Sequence, residues 1–267
     1  MRAYVSFFKM KFIHGLQYRA AAYAGVATQF AWGFMYIMLY STFYSSNPQN
    51  APMEFSQLSS YIWLQQAFLA LFMTWFLDNE IFDLIAKGNV SYELCRPLDI
   101  YNMWFAKNCA NRISKAILRC FPILIIAYLL PKPYNFNLPN SYASGILFIL
   151  SMVLAFIVVI SYSMLIYILT FYTISPMGVR LTLVMIADFL SGGLVPLPFL
   201  PQWLTKYIYL SPFGSMQNVP FRIYSGNISL KEATFAMVLQ VFWAVVLIVI
   251  GKVMISKTLK RVVVQGG

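Results

Sequence analysis

The sequence predicts an all-α integral membrane protein with six transmembrane helices and with both its N- and C-termini cytoplasmic. Three observations carry this. Hydrophobic residues make up 60% of the chain and charged residues only 10%, with a mean hydropathy of +0.69, whereas soluble domains carry about 25% charged residues. Uncharged runs recur near the ~20 residues a helix needs to cross about 30 Å of hydrocarbon. Basic residues gather in alternate connections: segments 1–19, 78–119, 174–180 and 252–267 hold four, six, one and four of them, while 45–57 and 131–141 hold none and one. Such an excess marks the cytoplasmic side. The net charge of +11 follows from that retention, and no RNA-binding motif or soluble domain points to nucleic acid.

Taken in order, residues 1–19 carry four bases and no acid. Val5, Phe8, Phe12 and Leu16 recur on one helical face, which predicts an amphipathic N-terminal interfacial helix. The first span is expected over 20–44. No small-residue cleavage site follows it, so no removable signal peptide is expected. The second span is 58–77, with Gln65 and Gln66 near its middle. The third must begin near Ser114, with Lys115 and Arg119 reaching the inner surface or facing protein, because only 120–130 is uncharged. The fourth lies in 142–173 and is long enough to tilt. The fifth, 181–200, contains Asp188 and is interrupted by Gly192-Gly193, Pro196 and Pro198. The sixth is 233–256. Segment 201–232 is expected to be an extracytoplasmic loop that forms an outer re-entrant hairpin between helices five and six, despite Lys206, Arg222 and Lys231. No repeat or linker divides residues 1–267, so one domain is expected.

Five of the eight acidic residues (Asp78, Glu80, Asp83, Glu93 and Asp99) fall within 78–99, inside an expected cytoplasmic loop over 78–101. In 78–87, Ile81, Phe82 and Ile85 form an apolar face beside Asp78, Glu80, Asp83 and Lys87. A short helix of this kind suits a partner's groove, a few apolar anchors ringed by charge. Downstream, Glu93 and Arg96 have pairing distance in sequence, and Pro97 ends any helix. The alternative is a solvated loop held by internal ion pairs.

Catalytic motifs are missing. The chain has no P-loop, no G-x-S-x-G and no H-E-x-x-H. It has a single histidine, His14, and three cysteines (Cys95, Cys109, Cys120) without metal-ligand spacing. No catalytic or metal-binding residues are expected, and hence no enzyme activity in this chain alone. Asp188 either lines a polar path or pairs with Arg180 or another helix. Gln65 and Gln66 either line such a path or bond between helices.

The stretch 190–222, LSGGLVPLPFLPQWLTKYIYLSPFGSMQNVPFR, resembles the signature of ABC-2 type permeases. Gly192, Gly193, Pro196, Pro201, Trp203, Pro212 and Arg222 occupy its places. Backbone freed by these glycines and prolines is tolerated at membrane depth only when buried in protein or lining a water cavity, which suggests an outer gate; the alternative is a kinked helix end followed by a surface loop. GNVSYELCRPLDIY, with Gly88, Tyr92, Glu93, Arg96 and Pro97, is similar to the coupling-loop motif of a branch of paired permeases that includes viologen-type exporters. The resemblance implies a multi-pass permease subunit of an ATP-binding-cassette exporter in the bacterial cytoplasmic membrane, surrounded by membrane lipid. It implies a second permease subunit, related or identical, and separate ATPase subunits that bind MgATP, with no cofactor in this chain. Its coupling helix would fall on 78–87. A six-span membrane enzyme or assembly factor is the alternative. With 18% aromatic residues, an aromatic cation, a peptide and a lipid all suit as cargo.

Overall fold

The computed structural model describes residues 2–46, 49, 51–139, 141–173 and 176–260. Arg261 of the basic C-terminal group, Ser175 and part of the 45–57 connection lie outside them. Among the described residues the chain is entirely helical, as expected, with twelve α-helices and a short 3-10 turn.

Helix α1 (Arg2–Leu16) lies along the first half of α7 (Ile100–Tyr128). Its inward face is Tyr4, Phe7, Lys11 and Gly15, one position from the expected stripe, and Val5 is exposed. The close approach decides the register. A Cβ on Gly15 would stand 2.1 Å from the Ser114 hydroxyl, so only glycine lets the two helices touch there. Helix α2 (Arg19–Ser46) follows and matches the first expected span closely.

The second hydrophobic run is not one helix. It forms α3 (Phe55–Ala67) and a single turn, α4 (Leu69–Phe72), with a break at Phe68 (φ −104°, ψ 16°) and non-helical chain from Met73 to Asp78. Interior backbone without helical bonds must find other partners. Here they come from three other helices. Arg112 of α7 donates to the carbonyls of Leu71 (3.0 Å) and Met73 (2.9 Å). Asp188 accepts from Thr74 N, and the Tyr167 hydroxyl accepts from Asp78 N at 2.6 Å.

Two short helices, α5 (Asn79–Ala86) and α6 (Val90–Leu94), lead to α7, which Asp99 caps by accepting from Asn102 N at 2.8 Å. The third run therefore starts as helix at Ile100, well before Ser114, because its first half is covered by α1. Helix α8 (Tyr142–Thr170) matches the fourth run. Helix α9 (Pro176–Leu190) ends about halfway through the fifth run, at the Gly192-Gly193 turn. The 3-10 turn Leu197–Phe199, α10 (Gln202–Leu210), α11 (Asn218–Ser225) and α12 (Leu230–Leu259) complete the chain. By length and composition, α8 and α12 each suffice to cross a bilayer.

The bundle has two ends. At one, Gln57 donates to the Gly226 carbonyl (3.4 Å) and Asn137 N to Ser60 Oγ (3.1 Å), joining three connections. At the other, Arg180 donates to Asn79 Oδ1 (2.7 Å), and Tyr172 and Thr258 share a hydroxyl bond (2.6 Å). Between them the chain from 191 to 226 folds back on itself. Phe199 packs 4.8 Å from Tyr40 near the first end, whereas Phe213 lies 5.4 Å from Tyr162, deep along α8. Helix α11 then returns, with Phe221 at 5.5 Å from both Tyr61 and Phe72 and with Tyr224 stacked on Phe136.

Candidate functional site

The acid-rich segment folds as a defined helix. Asp78 caps α5 by accepting from Glu80 N at 2.9 Å, and Lys87 closes it, the local chemistry its residue types favour. Its inner side is held by both long neighbours. Lys107 Nζ of α7 lies 3.0 Å from Asp78 and 2.6 Å from Glu80, and Asn111 donates to Asp78 at 3.1 Å. On the α8 side, Phe82 packs 5.0 Å from Tyr167, and the Arg180 guanidinium sits 5.2 Å over the Phe82 ring. The hydrogen bond from Lys107, more than any other neighbour, holds the Glu80 carboxyl below its ordinary range.

This packing corrects the expected apolar face. Ile81 is 0% and Phe82 7% exposed. Their side chains fill the chain's own core instead of standing ready for a partner, because α5 lies flat across α7 and α8. Ile85 is half-buried. The outward side is Asn79, Glu80, Asp83, Ala86 and Lys87.

The return leg differs in one respect. Glu93 does not pair with Arg96; it accepts from the Trp104 indole, and the Arg96 guanidinium instead lies 3.9 Å from Met103 Sδ. The helical turn of α6 carries Glu93 toward α7, so a three-residue spacing in sequence does not become a contact. Gly88, at φ +70°, makes the turn out of α5, and Tyr92 is exposed.

The residues singled out in the membrane runs converge. Gln65 donates to the carbonyls of Gly192 (3.3 Å) and Gly193 (2.7 Å), while Gly193 N donates to the Asp188 carbonyl (2.8 Å). Asp188, 8% exposed, accepts from Thr74 Oγ1 at 2.6 Å. Its partner is thus Thr74 on the broken second run; Arg180 is engaged with Asn79 and Phe82. Gly192 has φ +80°, a conformation other residues rarely adopt, and a Cβ on Gly193 would stand 2.9 Å from the Asp188 carbonyl.

Around this turn lie polar groups without a hydrogen-bond partner among the described residues, the Tyr61 hydroxyl and both amide atoms of Gln217; Gln66 Oε1, on α3, is likewise without one. Tyr61 and Gln217 border the glycine pair directly. Further along, Pro196 leads into the 3-10 turn, Pro201 caps α10, Trp203 is exposed and Pro212 lies in the turn before α11. Arg222 donates to Asn227 Oδ1 at 2.7 Å and lies 5.0 Å over the Tyr209 ring.

Arg112, Thr74, Lys107, Tyr167 and Gln217 were not marked by sequence reasoning. The one local signal was the spacing of Asn108, Arg112, Ala116 and Cys120, a single face of α7 whose small and polar members are buried.

Among the described residues the chain is all-helical, with two helices long and apolar enough to cross a membrane, a charged capped helix at one end and a fold-back at the glycine pair inside, an arrangement that fits a membrane protein. The model of the family described as ABC-2 family transporter protein matches residues 30–266, and the chain belongs to that family. It is accordingly a transmembrane permease of the ATP-binding-cassette type, which associates with ABC ATPase components. No curated protein and no solved structure matches the chain.

Proposed function

We propose that this chain is the permease subunit of an ATP-driven exporter, forming a translocation path with a second permease and coupled to separate ATPase subunits through α5. The observation that carries this reading is the mounting of α5. Its inner side is bonded to both α7 and α8, while Asp83 and Lys87 project outward. A push on the outer side is therefore transmitted to two long helices at once. Outward charge favours recognition of a complementary partner surface.

In this reading the chain crosses the bacterial cytoplasmic membrane six times with both termini inside. The second crossing is the broken α3–α4, and the fifth is α9 continued by the chain to Leu200. The end carrying α5 is also the end of the basic segments, which supports placing it in the cytoplasm. Helices α10 and α11 then act as a re-entrant outer gate, hinged at Gly192-Gly193 and clasped by Gln65. The unpartnered Tyr61 and Gln217 suit a lining for cargo or water, since polar groups at membrane depth need such company. The Gly88, Tyr92, Glu93, Arg96 and Pro97 pattern favours the paired-permease branch.

The test is co-purification and ATPase stimulation with an ABC ATPase subunit from the same organism, co-expressed with this chain. The Asp83→Lys, Lys87→Glu double variant should leave the melting temperature unchanged and lose ATPase association. Retained association, or no association in the wild type, would overturn the proposal.

A further inference from the structure

A cavity of about 420 Å³ opens at the α5 end of the bundle, between α1, the first turns of α2, the chain entering α5, and α7. Its lining is rich in charge, and the charges do not balance. Asp78 and Glu80 are answered by Lys107, and Lys11 adds a contact 3.7 Å from Glu80. Arg112 is taken up by the Leu71 and Met73 carbonyls and by Ser163 Oγ at 3.1 Å.

Lys115 and Arg119 remain, four residues apart on α7 and thus on one face. Among the described residues neither has a carboxylate within 4.0 Å. Lys115 Nζ lies 5.2 Å over the Phe76 ring. Arg119 lies against α2 at Gly25, and its Nε is buried with no hydrogen-bond partner. Two neighbouring cations repel one another, and a buried donor left unmade is costly. An anion entering the cavity would remove both penalties.

The level of the cavity says where the anion comes from. Uncharged sequence begins at Cys120, immediately after Arg119, so the cavity stands at the boundary between headgroups and hydrocarbon. Basic pockets between membrane helices on the cytoplasmic side suit lipid headgroups, and the planar guanidinium matches a phosphate.

We propose that this cavity binds a phosphate group between Lys115 and Arg119, supplied as the headgroup of an acidic phospholipid of the inner leaflet. The proposal rests on the reading that the α5 end is cytoplasmic, and it is independent of ATPase docking. It is tested without any ATPase present, so that its failure and the failure of the exporter reading are separate results.

The full chain in detergent is titrated with phosphatidylglycerol, phosphatidylcholine or glycerol phosphate, and bound ligand is read by native mass spectrometry. Phosphatidylglycerol should bind in preference to phosphatidylcholine. The Lys115→Gln, Arg119→Gln variant should bind it ~30-fold more weakly, at about 1 kcal/mol per basic residue, whereas Lys115→Arg, Arg119→Lys should retain most of the affinity. Equal binding of the two lipids, or undiminished binding by the glutamine variant, would overturn the proposal. Tight binding of glycerol phosphate with the same residue dependence would overturn the lipid source, leaving a site for soluble phosphate. A photo-crosslinking phosphatidylglycerol should label wild-type peptides containing Lys115–Arg119, a readout that needs no variant to fold; labelling only elsewhere would overturn the assignment.

Discussion

The guanidinium of Arg112 donates to the main-chain carbonyl of Met73, 39 residues away, at 2.9 Å. A side chain from α7 thereby completes the hydrogen bonding that the second hydrophobic run gives up when its helix ends at Phe72. A cation 2% exposed, with no carboxylate within 4.0 Å among the described residues, is stabilised here by carbonyl dipoles and a hydroxyl.

Arg112→Met should remove three hydrogen bonds and leave the Leu71 carbonyl unsatisfied, the Met73 carbonyl keeping only its bond from Phe76 N. Charged hydrogen bonds contribute about 1.5–3 kcal/mol each, so a loss of about 3 kcal/mol or more is expected. Thermal unfolding in detergent, followed by tryptophan fluorescence, measures it. Arg112→Lys should recover only part, because an ammonium lacks the fork that reaches both carbonyls.

Lys107 makes α5 sensitive to acid. The folded pKa of Glu80 lies below its unfolded value, about 4.3, chiefly through the Lys107 hydrogen bond. Its contribution is therefore fully present above the unfolded value and lost as pH falls through the folded one. The melting-temperature advantage of wild type over Lys107→Met should be largest near neutrality and shrink as the medium is acidified below about pH 4. A constant difference would show that Lys107 acts by packing alone.

The glycine pair is expected to tolerate no Cβ. Gly193→Ala places a methyl 2.9 Å from the Asp188 carbonyl, while Gly178→Ala on α9 meets open space. Gly178→Ala should stabilise by up to ~1 kcal/mol through helix propensity, and Gly193→Ala should destabilise by about 1–3 kcal/mol. Parallel melting curves of the two variants decide between conformation and mere composition.

Gln65 should act through its donor. Gln65→Leu loses two bonds to the Gly192 and Gly193 carbonyls, a cost of about 1–2 kcal/mol. Gln65→Glu should be worse, since an ionised carboxylate would oppose those same oxygens in the interior. Hydrogen exchange over 188–195 should rise in both variants, and more in the second.

Much of the fold was legible locally. Asp78, Lys87 and Gly88 bound α5 because caps and turns depend on the few residues around them. Three of the hydrophobic runs, the first, fourth and sixth, became helices near their expected places, and the members of the glycine–proline stretch became caps and turns. The polar residues marked within the runs, Gln65, Asp188 and the glycine pair, also belong to one cluster, although nothing in their spacing said so.

What the sequence by itself determined is that the long apolar runs are helical, where the local caps and turns fall, and that hydrocarbon-like surroundings dominate. Each follows from composition, periodicity or a cap within a few residues. Only the tertiary structure decided which side of a helix is used. Ile81 and Phe82 turn inward because α7 and α8 lie beneath α5. Asp188 meets Thr74 across 114 residues. The second run breaks because Arg112, Asp188 and Tyr167 supply the bonds a continuous helix would have made for itself. Propensity is a local property, whereas burial and hydrogen-bond satisfaction depend on what the rest of the chain brings alongside.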